Sequence, residues 1–96
     1  MKYTQTTLNK IEGLIEESGY IVRYERGSFQ SGFCILEDRK VVVLNKFLQL
    51  EGRINTLIDL IPQLKIESGT LTPESKKWFE DIMGRYHAAN NEEDQS

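Results

Sequence analysis

The side chains that could bind a metal or attack a substrate are few in this chain of 96 residues. It has one histidine, His87, and one cysteine, Cys34. Two such residues cannot build an intrachain zinc or iron site, which takes three or four soft ligands. Cys34 has no partner for an internal disulfide and lies in an alternating apolar stretch, where a free cysteine reads as a small buried hydrophobe. His87 falls near the end of the last helical stretch, where an imidazole can interact with terminal carbonyls. Glu16-Glu17, Glu37-Asp38 and Glu80-Asp81 are paired carboxylates. Neighbours in sequence point in different directions on a helix or strand, so these pairs read as solvated surface rather than as general acid and base.

What remains are groups suited to recognition. Arg23, Tyr24, Arg26 and Phe29 interleave bases with aromatics in one short run, and Phe47 and Trp78 are large apolar side chains that could mark an exposed patch. These six residues form the candidate partner-binding set. Charge argues against nucleic acid as the partner. The formal charge is −3, and Glu92, Glu93 and Asp94 account for all of it, leaving twelve acids against twelve bases in residues 1–91. A neutral body lacks the basic footprint that phosphate neutralisation requires. A nucleic-acid reading would need Arg23, Arg26, Arg39, Lys40 and Lys46 on one face. An enzyme reading without metal would need a pocket joining Arg53, Asn45 and a buried acid.

The elements that must position these residues are those of a single α+β domain over residues 1–89, followed by a disordered acidic tail over 90–96. Leu8, Ile11, Leu14 and Ile15 recur at helical spacing between threonines able to cap and Gly19 able to stop, which predicts a helix from about Thr6 to Ser18. Three strands follow at 20–24, 32–36 and 41–44. Their connections look too short for a parallel crossover, so a three-stranded antiparallel meander is expected. Leu50, Ile54, Leu57, Ile58, Ile61 and Leu64 share one helical face, and Pro62 should end or bend that helix. A linker over 65–70 leads to Thr72-Pro73, an N-cap with a first-turn proline, and to a third helix with Trp78, Phe79, Ile82, Met83 and Tyr86 on one side.

From Gly19 to Gln63 this order resembles the ImmA/IrrE family of zinc metallopeptidases. The matching residues are Gly19-Tyr20-Ile21-Val22, Ser31-Gly32-Phe33, Val41-Val42-Val43-Leu44-Asn45 and Arg53-Ile54-Asn55-Thr56-Leu57. In that family the last segment leads into a His-Glu-x-x-His motif that binds zinc and activates water. Here Asp59 stands at the first histidine, Leu60 at the glutamate and Gln63 at the second histidine. The resemblance therefore implies a metal-free relative with no catalytic residue to carry over.

Taken together, these features predict a non-catalytic interaction or regulatory domain that needs no cofactor. Its partner is a protein or a second copy of itself, since a small domain with open sheet edges gains from association as a homodimer. With no apolar run of membrane-spanning or signal-peptide length, a cytoplasmic location is expected. A small metal-independent enzyme or ligand-binding protein is the alternative.

Overall fold

The computed structural model describes residues 2–28, 30–35 and 39–95; the side chains of Cys34, Ile35 and residues 86–95 lie outside the described set. The elements run α1 (Gln5–Glu17), β1 (Tyr20–Glu25), β2 (Gly32–Ile35), β3 (Lys40–Asn45), α2 (Leu50–Leu60) and α3 (Pro73–Gln95), with 3-10 turns at Ile61–Gln63 and Ser68–Thr70. The expected α+β class and order of elements are borne out.

Helix α1 begins where Thr4 caps it: the Thr4 Oγ1 accepts from the Thr7 N–H at 3.1 Å. It ends at Ser18, and the chain turns into β1 through Gly19, whose φ of +91° suits glycine. Leu8, Ile11, Leu14 and Ile15 are all buried. Helix α2 stops at Leu60, and Pro62 shapes the 3-10 turn that follows, as a residue without an amide donor should. Ile54 and Leu57 of α2 and Ile61 of the 3-10 turn are fully enclosed. At the start of α3, Thr72 caps through Oγ1, which accepts from the Ser75 N–H at 3.3 Å. Its backbone stays helical to Gln95, through the stretch set apart above as a disordered tail; Ala88, Ala89, Glu92 and Glu93 are adequate helix formers.

The sheet corrects one expectation. It is mixed, not an antiparallel meander: β3 lies in the middle of the order β1-β3-β2, parallel to β1 and antiparallel to β2. The chain between β1 and β3 spans residues 26–39 and carries β2 with it, which is long enough for β3 to return parallel to β1. The central place suits Val41-Val42-Val43-Leu44, the most continuously apolar strand, because a strand with neighbours on both sides is the most enclosed. The hairpin link expected at residues 37–40 falls largely on Glu37 and Asp38, outside the described residues.

Register decides which side chains meet the core. Tyr20, Val22 and Tyr24 align with Lys40, Val42 and Leu44, and this inner face packs on the helices. Ile21, Arg23 and Glu25 align with Val41, Val43 and Asn45 on the outer face, where Ile21 is 46% exposed. Among the described residues no helix is long and apolar enough to cross a membrane.

Candidate functional site

Among the described residues, a dense polar arrangement surrounds the turn that leaves β3. Asn45, the last residue of that strand, works from both ends of its side chain: Nδ2 donates to the Gly27 carbonyl at 2.8 Å, and Oδ1 accepts from the Phe47 N–H at 3.0 Å. Its own N–H donates to Ser31 Oγ at 2.8 Å. An asparagine after a strand makes this kind of turn because its side chain can mimic a backbone group two residues on. From α2, Arg53 reaches back to the same turn, its Nε donating to the Leu48 carbonyl at 2.9 Å and its Nη2 to the Lys46 carbonyl at 3.0 Å. The guanidinium also lies over the Tyr24 ring, 4.7 Å from its centre. The Tyr24 hydroxyl donates to the Glu12 carboxylate of α1. Four elements are thus tied together through Tyr24 and Arg53.

The chemistry of this cluster is that of a clamp. Burial, and then the hydrogen bond and negative charge of Glu12, push the Tyr24 phenol well above its usual range; Arg53 opposes this only in part. Tyr24 therefore stays protonated as a donor at ordinary pH and is unsuited to act as a base. Held by Asn45 and Arg53, the turn presents Phe47 outward with 72% of its surface exposed, the largest exposure among the described large hydrophobic side chains. Beside it opens a shallow cleft of about 370 Å³ lined by Gln30, Ser31, Asn45, Leu48 and Thr56. These linings are hydrogen-bonding and apolar groups, with no titratable side chain among them.

The six candidate residues are not gathered into one patch. Arg23 and Tyr24 are neighbours on β1 and point to opposite faces of the sheet; Arg23 pairs with Glu25 at 2.8 Å on the outer face. Arg26 is exposed just past the strand. Phe29 lies outside the described residues. Trp78 is half-buried and packs against the core of its own chain, so it belongs to the interior more than to a binding surface. Of the described candidate residues, Phe47 is the exposed aromatic adjacent in sequence to a residue of the cleft, Leu48.

Asn45 and Arg53 do converge, but on a backbone turn rather than on a pocket with a buried acid. Lys40 and Lys46 stand at opposite ends of β3, about 20 Å apart at the rise of an extended strand. Lys40 there lies over the Tyr20 ring, 5.5 Å from its centre. A second cleft of about 260 Å³, between Ser18, Lys40, Lys65, Glu67 and Thr70, mixes both signs of charge. Among the described residues no three His, Cys, Asp or Glu side chains are placed to hold one metal ion. In α2, Leu60 is 8% exposed and belongs to the core, while Asp59 and Gln63 face solvent and the Gln63 amide donates to the Asp59 carbonyl at 3.1 Å.

Glu12 and Gln30 carry no signal in the sequence, and Ser31 and Thr56 enter there only among the residues of the family resemblance. Glu12 meets Tyr24 from twelve residues away, a pairing with no local signature. Only Asn45, at the end of an apolar strand, carried a readable signal for the turn. No protein-family model, curated protein or solved structure matches this chain.

Proposed function

We propose that this protein is a non-catalytic interaction domain that recognises a protein partner through Phe47 and the cleft beside it. The observation that carries this reading is a large aromatic side chain, 72% exposed, on a turn immobilised by Asn45 and Arg53. An exposed aromatic on a rigid turn binds at low entropic cost, because its position is set before the partner arrives. The adjoining cleft offers neutral donors and acceptors in Gln30, Ser31, Asn45 and Thr56, a lining suited to a polypeptide segment. Aromatic anchors next to hydrogen-bonding rims are the usual centres of binding energy.

The resemblance to the ImmA/IrrE peptidases fits this reading as that of a metal-free relative. Leu60, at the position of the water-activating glutamate, is turned into the core, and this supports a helix adapted to packing rather than to hydrolysis. The reading places the protein in the cytoplasm, with no cofactor.

Photo-crosslinking from position 47 in the native cell, followed by retention of the captured partner on wild-type and Phe47→Ala protein, tests the proposal. Phe47→Ala is expected to weaken retention by at least about tenfold, the usual effect at an aromatic hot spot, with thermal stability unchanged. Equal retention by the two proteins would exclude Phe47 as the recognition element.

A further inference from the structure

Strand β1 is an edge of the sheet, and among the described residues nothing pairs with its outer side. The Lys46 N–H donates to the Glu25 carbonyl at 2.8 Å across the β1–β3 seam. Since the backbone groups of a strand alternate in direction, Glu25, Arg23 and Ile21 direct their N–H and C=O toward β3. Those of Val22 and Tyr24 then point to the free edge. Tyr20 shares their direction, but it is only 2% exposed, so the edge is closed there. The open stretch runs from Val22 to Arg26.

We propose that a second copy of this chain pairs antiparallel with this edge, Tyr24 against Tyr24, to form one continuous sheet of six strands. Five two-fold registers, centred on each residue from Val22 to Arg26, would bring free N–H and C=O groups together, and the side chains choose among them. Centring on Glu25 sets two glutamates directly opposite one another, and centring on Arg26 two arginines, so both are opposed by like charge. Centring on Val22 requires Tyr20 to pair with Tyr24, which the closed end of the edge prevents. Centring on Arg23 sets two arginines directly opposite one another, at about 4.5 Å between their Cα atoms, where like charges repel. Centring on Tyr24 sets Arg23 opposite Glu25 of the second copy, and Glu25 opposite its Arg23. Val22 then bonds with Arg26 beyond them. Arg23 and Glu25 already share the outer face, 2.8 Å apart with side chains 59% and 45% exposed. In the dimer they would close a ring of four alternating charges. The edge carries no proline and no bulge to prevent such pairing.

The pairing is independent of the Phe47 surface. A short edge contact belongs with weak, transient associations, so sedimentation velocity should be run from about 10 µM to about 1 mM. Wild-type protein is expected to pass from monomer to dimer across that range. Arg23→Glu and Glu25→Arg should each weaken the dimer by about tenfold or more, because each sets two like-charged pairs in place of two opposite ones. An equimolar mixture of these two variants should associate again, since an acid then faces a base at both positions. Exchange of the Val22 and Tyr24 amides in wild-type protein should slow as concentration rises, a readout that needs no variant. Monomer throughout the range, a dimer indifferent to both variants, a mixture that fails to recover, or loss of the dimer in Phe47→Ala would each overturn the proposal.

Discussion

Removing the Arg53 guanidinium should loosen the turn that carries Phe47, and the cost can be worked from its contacts. The group makes two hydrogen bonds to carbonyls, at 2.9 and 3.0 Å, and lies 4.7 Å from the Tyr24 ring centre. One of the two bonds is partly buried and the other exposed, so each is taken near the ordinary net value of ~1 kcal/mol rather than the larger charged figure. A cation over an aromatic face at a partly exposed site adds ~0.5–1 kcal/mol. Arg53→Ala should therefore cost about 2–3 kcal/mol, a drop in Tm of roughly 10–20 °C for a domain of this size. Arg53→Lys keeps the charge but not the planar fork, and should lose more than half of that amount. Urea unfolding of the three proteins measures the energies, and amide exchange at Phe47 and Leu48 reports on the turn itself. If Arg53→Lys matched the wild type, or Arg53→Ala cost less than about 0.5 kcal/mol, the clamp would be a surface contact and the preorganisation argued for Phe47 would lose its basis.

Two further outcomes follow from the packing of the helices. Glu17 at the end of α1 accepts from the Thr72 N–H at 2.8 Å and from Ser75 Oγ at 2.6 Å; the Ser75 bond chiefly, and then the Thr72 amide, hold its carboxyl below the usual glutamate range. A depressed carboxyl stabilises the fold above its unfolded-state value and loses that contribution as pH falls through its folded-state value. Glu17→Gln should thus cost about 1 kcal/mol at pH 7, as loss of a helix cap does, and the gap to wild type should shrink below about pH 4 in pH-dependent melts. In the core, Ile54 is fully buried, and Ile54→Ala should cost about 2–5 kcal/mol by urea unfolding; a loss under 1 kcal/mol would mean that the core around α2 collapses to fill the space.

Much of the candidate site was hidden in the sequence because it is made between elements. Arg53 is the one arginine of the amphipathic helix α2, and its reach back to Lys46 and Leu48 depends on how α2 docks beside the end of β3. Glu12 reads as an exposed acid of α1 until the helix is laid on the strand that carries Tyr24. Trp78 lies on a helix side that suits a core better than a second copy, and the docking of α3 turns it inward.

Local pattern by itself determined the elements. The apolar spacing of α1, the caps at Thr4 and Thr72, the stop at Pro62 and the three runs of β character are short-range effects, each carried by residues a few positions apart. Strand order was decided only in three dimensions. An alternation of inward and outward side chains is the same in a parallel and an antiparallel pair, so the residues of β1 and β3 are silent about their relative direction. What settles it is competition for the middle of the sheet, won by the strand that gains most from neighbours on both sides. That outcome leaves β1 at the rim with Arg23 and Glu25 on one face and sends β3 directly into the turn that holds Phe47.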